Sequence, residues 1–387
     1  MIAAALLAAA LSIAPAQRVF DDARIASEED AGRLWGKPLY GPMILVDRQT
    51  KSFVKNDGTT GTLPKETIVA NTATPIDGKL TTMIAWQSIG DAAAVQRRRL
   101  AMHECWHRIQ NDIGFPASNP NNAHLDSVDG RVSLQLELRA LAAALRATGE
   151  ARTAAIRDAI GFRTLRRAQF ANAAELERAL ENNEGLAEYT GMALRGTPAV
   201  ESRFALAREI ERVDPKTSFV RGFAYLTGPA YGLLLDALKP GWTRSYKVTD
   251  DLAAVLNDGQ TVPAALHPER YGGAELRAAE EKRDREQRER VAHYRARLVD
   301  GPVLELPMGA FGFDPNAVIP LGDAGNAYPT LDVTAAWGHI SVDKGARIPN
   351  DWSKIVVAAE DRAMLELKAA CKVVAGPRDG DYRVTCE

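Results

Sequence analysis

The stretch LAMHECWHRIQ, residues 100–110, holds two of the chain's six histidines, four residues apart, with a glutamate after the first. On a helix, positions i and i+4 lie one turn apart on the same face. His103 and His107 can therefore aim two imidazoles at one point, and Glu104 can reach a water held there. These residue types at this spacing suit two zinc ligands and a general base for hydrolysis. The surrounding RRRLAMHECWHRIQNDIG reads as a helix that stops at Gly114, ahead of Pro116. Cys105 reads as a small buried filler within that helix, with no activating pattern around it.

A catalytic zinc site needs a third protein ligand. Gln110 and Ile113 stand where the metzincin pattern would need glycine and histidine. Further along, residues 179–191 read ALENNEGLAEYTG. With the HECWH segment this resembles the gluzincins, zinc metallopeptidases whose distal N-E helix supplies a glutamate ligand. The resemblance implies Glu184 as third ligand and Glu188, one turn on, as the carboxylate that orients a ligand histidine. Glu184 stands 77 residues after His107, further than is usual in that family, and an inserted helical pair at about 126–171 would account for the difference. Asp126, 19 residues after His107, and nearby Asp129 are the alternatives by spacing, although HLDSVDG reads more like a helix start. FAYLTGPAYGLLLD, residues 223–236, is similar to the Y-x-x-G segment of aminopeptidase-type gluzincins. That likeness implies Tyr225 as donor to the developing oxyanion, with Tyr231 in reserve. The family also places an edge strand just before the metal helix, here TTMIAWQSI, residues 81–89, where peptide substrates add as a further strand. A buried core strand is the other reading of that segment. Trp86 and Trp106 read as core, and His124, His267, His293 and His339 as isolated surface or packing residues.

Elements must position these groups. Residues 38–90 carry β signals (MILVD, ETIVA, TTMIAWQSI) broken by turns at Asn56-Asp57-Gly58 and Asp77-Gly78. Helical periodicity then predicts helices over 91–112, 126–148, 150–171, 173–194, 200–212 and 226–239. Residues 274–298 read as a solvated helix laced with i,i+4 ion pairs. Short β runs follow, with Cys371 and Cys386 flanking a hairpin turn. The expected fold is α+β, and the resemblance makes it zincin-like. The expected divisions are a signal peptide (1–16), an N-terminal β-rich subdomain (17–90), a helical zinc catalytic core (91–273), a charged helix linker (274–300) and a β-rich C-terminal domain (301–387).

The chain has 387 residues, 46% hydrophobic and 25% charged, with formal net charge −2. That composition suits a globular protein with room for more than one core, and gives no basic footprint for nucleic acid. The leading MIAAALLAAALSIAPA is uncharged and mostly apolar, with an A-x-A cleavage pattern at Ala14-Pro15-Ala16. It is short for a membrane span, and no later stretch is long and apolar enough. A secreted or periplasmic location is expected, which permits a Cys371–Cys386 disulfide. The resulting expectation is an exported Zn2+-dependent metallopeptidase acting on peptide or protein substrates. The alternative is a catalytically silent zinc-binding scaffold or interaction protein of the same fold. The intact Glu104 argues against that alternative, since a non-catalytic site need not retain a base.

Overall fold

The computed structural model describes residues 11–257, 266–314 and 317–386. The chain divides into two compact units, Met1–Ala278 and Ala279–Glu387, so the division falls inside the charged helix.

Most of the leader-like stretch, residues 1–10, lies outside the described residues. The expected cleavage pattern lies in the first turn of a helix, α1 (Ile13–Asp30), which buries Ala16, Val19, Phe20, Ala23 and Ala26. These positions keep the i, i+3, i+4, i+7 spacing of a core-facing stripe, so the expected β-rich segment from Gln17 opens on a helix instead. The sheet comes next. It contains β1 (Met43–Val46), β2 (Ser52–Lys55), β3 (Thr60–Thr62), β4 (Thr72–Ile76) and β5 (Lys79–Ala85), in the order β3-β2-β1-β5-β4. ETIVA, expected as a strand, is not one; the chain reaches β4 only at Thr72. The β4–β5 turn falls at Asp77 and Gly78, both at positive φ, as a tight hairpin requires. TTMIAWQSI is not the edge strand, and the core-strand reading holds for its first half. Its first half belongs to β5, paired on both sides, while Trp86–Ile89 turns helical as α2. The edge strand beside β5 is β4.

Helices complete this unit: α3 (Ala94–Ile109), α4 (Val128–Arg146), α5 (Gly149–Gln169), α6 (Ala173–Leu180), α7 (Leu186–Ala193), α8 (Ala199–Glu211), α9 (Phe219–Gly222), α10 (Ala224–Leu238) and α11 (Leu252–Asn257). Between α6 and α7, Glu181–Gly185 winds as a π turn, so the expected helix 173–194 is continuous but carries one wide turn. Gly185 in this turn meets Gly228 of α10. A Cβ on Gly228 would lie 2.3 Å from the Gly185 Cα. Only glycine lets the two backbones approach this closely. Below them lies a buried ionic lattice. Arg163 of α5 donates to Glu137 of α4 and to both Glu181 oxygens, and Arg166 donates to both Glu177 oxygens. Tyr231 donates to Glu137, and Thr227 to Glu181. The Arg166 charge holds the buried Glu177 well below the usual carboxylate range, against the upward pull of burial. Tyr231 thus braces the core and is not a donor to the cleft.

The C-terminal unit takes up the rest of α12 (Gly273–Arg295), which carries exposed i,i+4 pairs such as Arg288–Asp284, 2.8 Å. Its strands are β6 (Val303–Pro307), β7 (Ala310–Gly312), β8 (Ile319–Pro320), β9 (Asn326–Tyr328), β10 (Leu331–Ala335), β11 (Gly338–Val342), β12 (Ala346–Ile348), β13 (Lys354–Ala358), β14 (Glu366–Leu367), β15 (Cys371–Ala375) and β16 (Tyr382–Cys386). They form a seven-stranded sheet and a four-stranded sheet. Alternate residues of both sheets, including Leu304, Val333, Ile340 and Val357, share one core. Cys371 and Cys386 face each other on β15 and β16 and are disulfide-bonded. Cys371→Ser is expected to lower stability by about 3 kcal/mol, the chain-entropy value for a loop of roughly fifteen residues. Denaturant unfolding of the full chain checks this, and an unchanged midpoint would remove the bridge from the stability account.

Candidate metal centre

The motif helix α3 is buried along the face carrying Ala101, Met102 and Cys105, and Trp106 in its last turn is fully enclosed. Trp35 packs edge-on against Trp106 at 5.9 Å and donates to Thr190 of α7 at 2.9 Å, which fastens the two helices of the site to a common aromatic core. Trp86 is buried too. Cys105 is a free, buried thiol whose pKa burial pushes up to about 12, so it stays protonated and inert.

His103, His107 and Glu184 converge. The His103 and His107 Nε2 atoms are 3.3 Å apart, and each lies 3.6 Å from Glu184 Oε2. These three residues form a group that can hold a metal ion. Tetrahedral ligands bonded at about 2.0–2.1 Å stand roughly 3.3–3.4 Å from one another, so the triangle has the right size for a small divalent cation.

Each ligand is held by a partner. His103 Nδ1 contacts Glu188 Oε2 at 2.7 Å, and Glu188 Oε1 accepts from Arg99 Nε at 2.5 Å. Arg99 also donates to both oxygens of Glu209. With a proton on Nδ1 facing Glu188, the lone pair of Nε2 is left for the metal. His107 Nδ1 pairs with Gln110 Oε1 at 2.6 Å. Gln110 Nε2 donates to Asn183 Oδ1 at 3.1 Å, and Asn183 Nδ2 to Glu184 Oε1 at 3.1 Å. A ring of amides thus ties the second histidine to the glutamate. Arg221 Nη2 also donates to Glu184 Oε1, at 3.0 Å, while Tyr225 Oη donates to Oε2 at 2.5 Å. Glu184 is therefore set to offer one oxygen, not two. Glu188→Gln should weaken metal affinity by roughly 10–100-fold, the usual cost of losing such a partner. Competition with a chromogenic chelator measures it, and an unchanged affinity would deny Glu188 the orienting role.

The electrostatics favour a cation here. Burial by itself lowers the His103 pKa, but Glu184 and Glu188 outweigh it and raise it to about 10, so a metal ion that takes Nε2 does so by displacing a proton. Glu184 is pulled up by burial, yet the two histidines and Tyr225 hold it well below the usual carboxylate range. Glu104 differs. It is 4% exposed, its Oε1 lies 4.0 Å from His103 Nε2, and burial raises its pKa. Its Oε2 is buried with no hydrogen-bond partner among the described residues. A buried carboxylate oxygen left unpaired is costly, which fits a base awaiting a water or substrate proton.

The centre opens on a cleft of about 450 Å³. Thr72 and Ala73 of β4, Leu80 of β5, Leu100 of α3, and Arg221 and Tyr225 are among its walls. Tyr225 is partly buried, with its ring stacked on His103 at 5.7 Å, and burial and Glu184 raise its pKa, so its hydroxyl keeps its proton. The alternative ligand Asp126 serves elsewhere: it accepts from Ser218 Oγ at 2.8 Å and Phe219 N at 3.1 Å. Asp129 pairs with Arg277 at 2.7 Å. His124 pairs with Glu177 and belongs to the core lattice. Gln110, Asn183, Arg99 and Arg221 were not singled out from sequence. Gln110, three residues after His107, and Asn183, adjoining Glu184, carried a positional signal; Arg99 and Arg221, brought in from other helices, did not.

No helix among the described residues is long and apolar enough to cross a membrane. No protein-family model, curated protein or solved structure matches the chain.

Proposed function

We propose that this chain is an exported zinc-dependent metallopeptidase with a zincin-like catalytic unit. The observation that carries the reading is the convergence of His103 Nε2, His107 Nε2 and Glu184 Oε2 within 3.3–3.6 Å, beside the unpaired Glu104 carboxylate. Two imidazoles and one carboxylate oxygen are a donor set that suits zinc, whereas calcium and magnesium prefer oxygen-rich shells. Zinc bound there supplies Lewis acidity and a nucleophilic water at neutral pH.

The chain's own residues do the rest. Glu104 accepts the proton from the attacking water and returns it to the leaving amine. Tyr225 keeps its hydroxyl proton and turns it toward the oxygen that gains charge as the carbonyl becomes tetrahedral. Glu188, Gln110 and Asn183 hold the histidines and Glu184 in register. The free side of β4 offers backbone groups to an extended peptide, which places its scissile bond over the centre while Ala73, Leu80 and Leu100 give it an apolar wall. The C-terminal disulfide is compatible with an oxidising compartment.

The test is metal analysis of the purified full chain, followed by digestion of casein and of a mixed peptide pool. Zinc near one per chain is expected, with cleavage that a chelator stops and added zinc restores. Bound zinc without cleavage of any component would favour the silent scaffold. Failure to bind zinc would overturn the reading.

A further inference from the structure

We infer that Arg221 reads a carboxylate on the substrate, one or two residues from the scissile bond, so that the cleft selects peptides with an acidic side chain or a free C-terminus at that position. The inference rests on the peptidase reading and adds its substrate class.

Arg221 is the one permanent cation among the described residues lining the cleft; the other ionisable groups there are His103, His107, Glu104, Glu184, Glu188 and Tyr225. Its side chain is 45% exposed although it donates to the largely buried Glu184. The contact to Glu184 uses Nη2, and Nη1 contacts Asn119 Oδ1. A guanidinium carries five N–H donors in a rigid fork, so two contacts fix its plane and leave donors for a planar oxyanion.

The platform beneath it is built to hold still. Ser218 caps α9 by accepting from Val220 N, and Asp126 grips both the Ser218 hydroxyl and the Phe219 N–H. Arg131, 1% exposed, donates to the carbonyls of Pro215 and Thr217 and lies over the Phe219 ring at 4.6 Å. An arginine held in place before its ligand arrives loses less entropy on binding, and so binds more tightly.

The register follows from the helix. Phe223, between α9 and α10, has helical dihedrals, so Arg221 sits one turn before Tyr225. Their heads meet the same carboxylate: Arg221 Nη2 contacts Glu184 Oε1 at 3.0 Å and Tyr225 Oη contacts Oε2 at 2.5 Å. An extended peptide advances about 3.3 Å per residue, so a guanidinium this close to the oxyanion donor meets a group no more than about two residues from the scissile carbonyl. An acidic side chain and a terminal carboxylate present the same chemistry there.

Matched peptides separate the two sources. One set replaces Asp or Glu by Asn or Gln on either side of the scissile bond; the other compares a free C-terminus with its amide one or two residues beyond. At least one pair should favour the carboxylate by about tenfold or more in kcat/KM, chiefly through KM, as expected for a charge-assisted bidentate contact. Arg221→Gln should bring that ratio close to one, and Arg221→Lys should keep part of it, with zinc content measured for each variant. The same pairs are titrated by tryptophan fluorescence onto the zinc-loaded Glu104→Gln protein, where binding is read without turnover. Acid preference in binding but no cleavage by the wild type would uphold the inference and overturn the peptidase reading. Cleavage with equal rates across all pairs, or a preference that survives in Arg221→Gln, would overturn the inference and leave the peptidase reading standing.

Discussion

Glu104→Gln is expected to retain near-normal zinc while hydrolysis falls by roughly 10²–10⁴-fold, the usual range for removing a general base. The substitution keeps the size and planarity of the side chain. It takes away the lone pair that receives a proton, at an atom that lies outside the ligand triangle. The metal should therefore remain, because its three ligands and their partners are untouched. Zinc content and peptide cleavage are measured on the same preparation. Wild-type turnover in this variant would remove Glu104 from the mechanism even with the metal in place. Tyr225→Phe supplies the contrast. It should keep zinc and lower kcat by roughly 10²–10³-fold, as for the loss of an oxyanion donor. A silent Tyr225→Phe leaves the base in place and moves the search for the donor to other cleft groups. Tyr231 is not among them, since it is fully buried and does not line the cleft.

Glu184→Ala is expected to abolish zinc binding at micromolar concentrations. The loss should exceed the roughly 10–100-fold seen when only an orienting partner is removed, because here a bond to the metal itself is lost. Asp126→Ala should keep full zinc and instead cost on the order of 1 kcal/mol, by releasing its hydrogen bonds to Ser218 and Phe219. Metal titration and thermal unfolding of both variants separate the two roles. Zinc retained without Glu184 but lost without Asp126 would mean that spacing was a better guide than motif.

The sequence exposed the chemistry of the site more readily than its support. His103, Glu104 and His107 lie within one short segment, so one helical turn brings them together and local spacing is enough. Glu184 is distant in sequence, and only the N-E-G-x-A-E-Y pattern pointed to it. Helix spans were legible where apolar residues repeat with helical period, as in α4 and α5. The same period is present in α1, where Val19, Phe20, Ala23 and Ala26 form a stripe. The edge strand was misplaced because β-branched residues mark a strand without saying which neighbours it finds; β4 contains a proline and few apolar residues, and reads as loop. The ionic lattice of Arg163, Arg166, Glu137, Glu177 and Glu181 was not legible at all. Arginine and glutamate on a helix ordinarily indicate solvent, and their burial becomes visible only when three helices bring opposite charges together. That lattice fixes the turn that carries Glu184.

The contact between Gly185 and Gly228 has a consequence for how this protein can vary. A methyl group at Gly228 would have to push α10 away from the π turn, and α10 carries Tyr225 while the turn carries Glu184. In a deep mutational scan scored by activity, Gly228 should therefore be nearly as intolerant as the histidines, and Gly185, where a Cβ would stand 3.1 Å from the Gly228 Cα, less so, though neither bears a functional group. In a library built to change what the cleft accepts, diversity belongs at Ala73, Leu80, Leu100 and Ala117, and the glycine pair is better left fixed.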